Sequence, residues 1–406
     1  MSFILPAPVL EALSRLNTHG FAAYVVGGCV RDLLLGKEPH DFDICTAALP
    51  EDVHSCFAAQ RIIDTGIRHG TVTVLLGGQE LEITTFRTDG DYLDGRHPLS
   101  VSFTRTLAED LKRRDFTVNA MAWSPQEGLV DLFDGQADLK LRRLRCVGDP
   151  QKRFTEDALR IMRALRFAAQ LDFVIDPPTA QAAHLLRERL QLISRERIAA
   201  ELLHTLSYPA APDLLAEFSD VLSVALPSLP LSALSEGLSV LRRLPSEPDN
   251  VSTLAALLCG CQSEIINACL DSLKLSRQLH QDTLRLAEAA HTPFSSDDTV
   301  IWLSRLGTKQ LEHLLVLQTA CGTLTIEEAD QRRAIMQNAL QEGMPLSLSL
   351  LPVNGRDLKR LGLRGAEIGD MLIHLHEAVL RGQCPCEREM LLILAKELLY
   401  QKGTTP

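Results

Sequence analysis

Two short segments near the N-terminus carry residue types that do chemistry together. The first, "VVGGCVRD", runs from β-branched residues into Gly27-Gly28 and on to Arg31. Glycines at a strand-to-helix turn let backbone N–H groups approach a phosphate, and the helix N-terminus adds a favourable dipole. Arg31, in the first turn, is placed to reach the same anion. There is no Gly-Lys-Ser/Thr and no G-x-G-x-x-G, so this is neither a P-loop nor a dinucleotide fingerprint. Taken alone, the glycines read first as an ordinary tight turn. The second segment, "HDFDI", sets Asp41 and Asp43 one residue apart. In a strand these share a face, leaving Phe42 and Ile44 on the other to enter a core. Two neighbouring carboxylates repel and raise each other's pKa unless a cation sits between them. Carboxylate oxygens suit Mg²⁺, which keeps several waters and favours sites shared with substrate phosphates; Mn²⁺ fits the same ligands. The alternative is two solvated surface aspartates. In "ELEITTF", Glu80, Glu82 and Thr84 share a face opposite Leu81 and Ile83. Glu82 is the candidate for a third catalytic acid, against an exposed edge glutamate.

A phosphate-cradling turn and a carboxylate-bound pair of metal ions fit nucleotidyl transfer. One ion activates an attacking hydroxyl and the other neutralises the pyrophosphate leaving group. At this point the sequence resembles a known family. "GGCVRD" followed by "HDFDI" is similar to the nucleotidyltransferase signature of the polymerase-β superfamily. More narrowly, it resembles the bacterial class II tRNA nucleotidyltransferases and poly(A) polymerases. "LKRRDFTVNAMAW" (111–123) and "RFTEDALRIMRALRF" (153–167) resemble two further motifs of that family, and "LPVNGRDLKRLGLRGAEIG" resembles its tail more loosely.

The resemblance implies two Mg²⁺ ions on Asp41 and Asp43, and triphosphate contacts from Gly27, Gly28 and Arg31. It assigns Arg113, Arg114 and Asp115 to ribose and phosphate recognition. The chemistry agrees, since an Asp accepts a hydrogen bond from a 2′-hydroxyl and arginines fork onto phosphates. The alternative is a salt bridge from Asp115 to an arginine across a domain joint. In "TEDALRIMRALRF", Thr155 is a good N-cap, and Leu159, Met162 and Leu165 make an apolar stripe. Asp157 and Arg160, three apart, are expected on one helix face, where the plain reading is a routine ion pair worth little. A carboxylate beside a guanidinium also complements a base with an amino donor next to a ring-nitrogen acceptor. Cytosine and adenine present that order; uracil and guanine present the reverse. The resemblance makes Asp157 and Arg160 a protein template for CTP and ATP, with Glu156 orienting them and Arg163 and Arg166 adding nucleotide contacts. The polar segment between Arg87 and Arg113 resembles the family's flexible loop, which helps switch from C to A addition. Its full length favours CCA or A-only addition over CC-only.

Positioning these groups takes an α+β chain. "FAAYVV", "DFDIC", "GTVTVLL" and "LEITTF" predict strands, whereas from about Val147 the apolar spacing of three and four predicts helices. The expected parts are a nucleotidyltransferase head with a small mixed sheet (1–145), a helical neck (146–210), a body (211–296) and a tRNA-binding tail (297–406). There is no internal repeat. The net charge of −11 argues weakly against a nucleic-acid partner, but basic residues cluster at Arg113, Arg114 and from Lys140 to Arg166. Arg142, Arg143, Arg145, Lys359, Arg360 and Arg364 are the candidates for tRNA backbone contact; a solvated helix face is the alternative. Of ten cysteines, Cys259 with Cys261 and Cys384 with Cys386 lie at Cys-x-Cys spacing. Zinc sites ordinarily show wider spacing and a matching second pair, so reduced, mostly buried thiols are expected. No apolar run approaches the roughly 18 residues of a membrane span, and no signal peptide is read, so a cytoplasmic protein is expected. Nothing distinguishes a monomer from a homodimer. The expected activity is completion or repair of the 3′-CCA end of tRNA from CTP and ATP. A-only addition, poly(A) synthesis and an inactive RNA-binding homologue are the alternatives. An appended His-Asp phosphohydrolase is excluded, because the one His-Asp dipeptide, His40-Asp41, lies inside the transferase motif.

Overall fold

The computed structural model describes residues 3–89, 101–246 and 248–401. Its strands are β1 (Ala23–Val26), β2 (Ile44–Thr46), β3 (Arg61–Gly66), β4 (Thr71–Leu76), β5 (Gln79–Thr85), β6 (Arg87–Asp89), β7 (Val101–Phe103), β8 (Met121–Ser124), β9 (Gly128–Asp131), β10 (Arg143–Leu144) and β11 (Val174–Ile175). Seven of them form one mixed sheet in the order β3-β4-β5-β2-β1-β8-β9. Alternation explains the outer strands: Val72, Val74 and Leu76 on β4 and Leu81 and Ile83 on β5 turn inward. Central β1 is buried on both faces, and its Tyr24 and Val26 join Cys45, Phe86, Leu111 and Ala122 in one core cluster. The helix Ala7–Thr18 buries a stripe of Val9, Ala12, Leu13 and Leu16, the spacing of one helical face.

β2 is shorter than the sequence predicts. It begins at Ile44, so Asp41 and Asp43 precede the strand instead of lying within it. The alternation nevertheless continues outward from the strand, with Asp41 and Asp43 exposed and Ile44 buried. β2 runs parallel to β5 with Ile44 opposite Ile83, which sets the end of the aspartate segment beside Glu82.

Past residue 146 the described chain is helical apart from β11, which pairs in parallel with β10. The chain divides into two compact units: residues 1–231 with 271–275, and residues 232–270 with 276–406. This is coarser than head, neck, body and tail; the segments read as head and neck both fall in the first unit. There the helix Leu159–Leu171 packs on Arg195–Leu206. In the second unit, Asn250–Leu258, Arg277–Ala289 and Thr308–Cys321 pack on one another, and a separate apolar cluster gathers Leu358, Leu375 and Leu391. Among the described residues, no helix is long and apolar enough to cross a membrane.

Candidate active site

Gly27 caps the helix Gly28–Leu34 with φ of 83°, a left-handed backbone that favours glycine. A Cβ there would lie 3.0 Å from an Arg114 guanidinium nitrogen, whereas one on Gly28 would meet Arg31 at an ordinary 3.6 Å. We therefore expect Gly27→Ala to lose both stability and nucleotide addition. Gly28→Ala should keep the wild-type melting temperature, a contrast that thermal unfolding of the two variants checks. Arg31 is buried, donating to Asp32 Oδ1 and to Asn119 Oδ1, each at 2.8 Å.

Asp41, Asp43 and Glu82 are all exposed. Burial among the surrounding atoms, then Asp41 and Glu82, push the Asp43 carboxyl up to about 6, with Arg114 opposing them. Water still reaches Asp43, so its charge costs less than that value alone implies. The three carboxylates do not close to within 4.8 Å of one another as a set. The donor set still fits a divalent cation: Asp41 and Glu82 are near enough to raise the Asp43 carboxyl, and oxygen ligands leave room for waters and phosphate.

Arg113 and Arg114 share one carboxylate. Arg113 Nε and NH2 reach Asp110 Oδ1 at 3.0 and 2.8 Å, and Arg114 NH2 reaches Oδ2 at 3.3 Å. Asp110 is fully buried at 0% exposure, and the two arginines hold its carboxyl below the usual range against the effect of burial. Asp115 forms the salt bridge set against its ribose role: Arg163 Nε and NH2 reach Asp115 Oδ2 at 2.8 and 2.6 Å. Its Oδ1 accepts from the Phe116 N–H at 2.8 Å.

The base-reading segment departs from the sequence expectation. Thr155 does not cap a helix; it lies within Pro150–Glu156, and a second helix starts at Leu159. Asp157 sits between them in extended backbone, and its Oδ1 accepts from the Leu159 N–H at 3.0 Å. The capping role thus falls to Asp157, because its short carboxylate satisfies a first-turn donor of the second helix. The side chains of Asp157 and Arg160 take different partners. Asp157 Oδ2 faces Arg197 at 3.3 Å. Arg160 donates to Glu156 at 2.8 Å and to the Arg153 and Arg113 carbonyls, each at 3.1 Å. Glu156 also holds Arg153 at 3.1 Å, and it lines a cavity of about 180 Å³ with Arg113, Lys112 and Arg153.

Arg163 and Arg166 share Glu201, at 3.9 and 2.9 Å. With Arg31 they surround the Phe167 ring, at 5.4 Å (Arg31), 5.1 Å (Arg163) and 4.3 Å (Arg166). The groups named from the triphosphate turn and from the base-reading segment therefore meet around one aromatic side chain.

A family described as the poly A polymerase head domain matches residues 23–145. The CCA-adding enzyme of Lactobacillus delbrueckii subsp. bulgaricus is 39% identical over 389 residues, covering 94% of each chain. That of Enterococcus faecalis is 36% identical over 402 residues, covering 96% of this chain and 95% of its own. The chain belongs to the CCA-adding enzyme family. The solved Bacillus stearothermophilus CCA-adding enzyme in complex with CTP matches with a TM-score of 0.85 at 30% identity, covering 98% of this chain and 99% of that one. Like its relatives, this member of the CCA-adding enzyme family is a nucleotidyltransferase.

Several residues that organise the site were not read from the sequence. Asp110 carried a local signal, lying three and four positions before Arg113 and Arg114. Phe167 carried one too, one and four positions after Arg166 and Arg163. Asn119, Glu201 and Arg197 act at long range and gave none. Three of the proposed tRNA contacts have acid partners within the fold. Arg142 pairs with Asp172. Arg143 and Arg145 converge on Asp138, fully buried, at 2.6 and 2.9 Å. Thr117 Oγ1 donates to the same carboxylate at 2.6 Å. Asp138→Ala should cost about 3 kcal/mol, the low end for breaking a buried pair because both arginines retain access to water. A urea titration of the variant measures it. Lys359 and Arg360 are exposed, and Lys359 shares a hollow of about 640 Å³ with Arg356. Residues 90–100, part of the segment read as the switching loop, lie outside the described residues; β6 and β7 on either side pair antiparallel.

Proposed function

We propose that this chain adds C, C and A in turn to the 3′ end of tRNA, taking CTP and ATP without a nucleic-acid template. Residues 1–145 act as the catalytic head and 146–210 as the neck that reads the base, with the remaining helices as body and tRNA-holding tail. Asp41 and Asp43 would hold two Mg²⁺ ions, with Glu82 beside them. Bound there, the ions would polarise the reacting phosphate and ease deprotonation of the attacking 3′-hydroxyl.

The chain's own residues hold and orient the nucleotide. The Gly27–Gly28 turn offers backbone N–H groups to the triphosphate, with Arg31 alongside. Arg113 and Arg114, fixed by Asp110, present guanidinium edges to phosphate, and Asp115 takes the ribose hydroxyl. Asp157 accepts from the amino group of C or A while Arg160 donates to the ring nitrogen; Glu156 fixes the Arg160 fork, and Arg163 and Arg166 add nucleotide contacts. Arg142, Arg143, Arg145, Lys359 and Arg360 are offered to the tRNA backbone, with little reading of sequence.

The observation that carries this reading is full-length similarity to CCA-adding enzymes, since the poly A polymerase match covers the head alone. The test is extension of three tRNA transcripts, ending at the discriminator base, at C and at CC, with Mg²⁺ and CTP or ATP, singly and together. Stepwise C, C, A and then a stop supports the reading. Addition of A only to the CC-ended transcript would make it an A-adding enzyme, and long A tails would make it a poly(A) polymerase.

A further inference from the structure

In the second unit, three packed helices bring sulfur and imidazole to one point. Cys259 follows Asn250–Leu258 directly, Cys321 ends Thr308–Cys321, and His291 stands two residues beyond Arg277–Ala289. The two Sγ atoms are 4.0 Å apart. One ligand atom from each of Cys259, His291 and Cys321 lies within 4.8 Å of the other two, the only such convergence among the described residues. We propose that Cys259, Cys321 and His291 bind one Zn²⁺ ion, a site independent of the nucleotidyl-transfer chemistry.

Three features point to this ion. The donor set is two thiolates and an imidazole, which suits zinc and excludes Mg²⁺ or Ca²⁺, whose ligands are oxygens. The spacing fits, because zinc–sulfur bonds of about 2.3 Å at the tetrahedral angle place two sulfurs about 3.8 Å apart. A disulfide instead requires about 2.05 Å. The position fits as well, since all three ligands stand at helix C-termini, where partial negative charge favours a cation. Glu236 lies 3.4 Å from His291 Nε2 and supplies the outer carboxylate that typically orients a ligating histidine. It also offsets the positive charge of Arg243 near Cys321. Cys259 is buried, Cys321 half-buried and His291 exposed, so the ion enters from the histidine side. On binding, each thiol releases its proton to solvent. Water takes the fourth position. Cys261 is not among the converging groups, so the ligand partner of Cys259 comes from another helix and not from its Cys-x-Cys neighbour.

The test uses full-length protein carrying Asp43→Asn, so that ions on the head carboxylates do not contribute. It is prepared with a reductant that does not chelate and dialysed against trace Zn²⁺. Elemental analysis should give one zinc per chain, and Co²⁺ substitution should give the near-ultraviolet sulfur-to-cobalt band. Cys321→Ser and His291→Ala should each abolish the equivalent, Cys261→Ser should retain it, and Glu236→Gln should weaken binding by about 10–100-fold. The exposed His291 keeps that variant informative if a cysteine change disturbs folding. Zinc absent from the parent protein, or equally present in Cys321→Ser and His291→Ala, overturns the proposal. So does loss of two titratable thiols in place of metal, which would mean a Cys259–Cys321 disulfide.

Discussion

Asp43→Asn should cut nucleotide addition by on the order of 10²–10³-fold, the scale of losing one charge-stabilising group in an active site, while making the metal-free protein more stable at neutral pH. The Asp43 carboxyl titrates near 6 because of burial and its acidic neighbours. A folded-state value above the unfolded one means that protonation favours the fold. That contribution is complete below the unfolded value near 4 and is lost as pH rises through about 6. Asparagine mimics the protonated form. Wild type and variant should therefore melt together only below about pH 4, and the variant should melt higher at pH 7.5. Because water reaches Asp43, the gain is held to about 1 kcal/mol, or roughly 2–4 °C. Added Mg²⁺ should close the gap by stabilising wild type alone. A variant less stable than wild type at pH 7.5 without metal would contradict the electrostatic account. Full activity would remove Asp43 from the metal site.

Asp157→Asn should change which base is accepted more than how fast it reacts. With Arg160 unaltered, an asparagine amide can turn its NH₂ toward the O4 of uracil, relieving one of the two clashes that exclude UTP. One such pairing is worth about 1–3 kcal/mol of discrimination, so the CTP-to-UTP ratio of kcat/KM should fall by about 10–100-fold. Asparagine also caps helices well, so the bond to the Leu159 N–H can persist and the fold should hold. Arg160→Ile is a poorer probe. It would strip Glu156 and the Arg113 and Arg153 carbonyls of a donor and confuse misfolding with misreading. Equal loss with all four nucleotides would sink the template role of Asp157.

The parts of the fold that follow local periodicity were legible. The alternation in "GTVTVLL" and "LEITTF" located β4 and β5, and the Leu159, Met162, Leu165 stripe located a buried helix face. The failures came where a side chain competes with the backbone. Asp157 captures the Leu159 N–H and breaks what periodicity reads as one helix, and β2 starts three residues later than its β-branched context suggests. Among site residues, chemistry-bearing types at short spacing stood out, as with Asp41 and Asp43. Their positioning partners did not, because Glu201 reaches Arg163 and Arg166 through tertiary packing alone. The zinc ligands were hidden for the same reason: Cys259 attracts notice beside Cys261, but only folding brings it to Cys321.

The three guanidiniums around Phe167 bear on how one pocket could handle two sizes of base. On the proposed reading, Arg31 belongs to the grip on the phosphates and Arg163 and Arg166 to the neck, and a single ring pegs them together. The two ends of the cradle are therefore not free to slide apart when a one-ring base gives way to a two-ring base. On the same reading the slack would lie elsewhere, and the extended backbone at Asp157 is the break between the two neighbouring helices. On that reading the cradle would act as a gauge with one fixed jaw and one hinged jaw, sorting nucleotides by reach as well as by hydrogen-bond pattern.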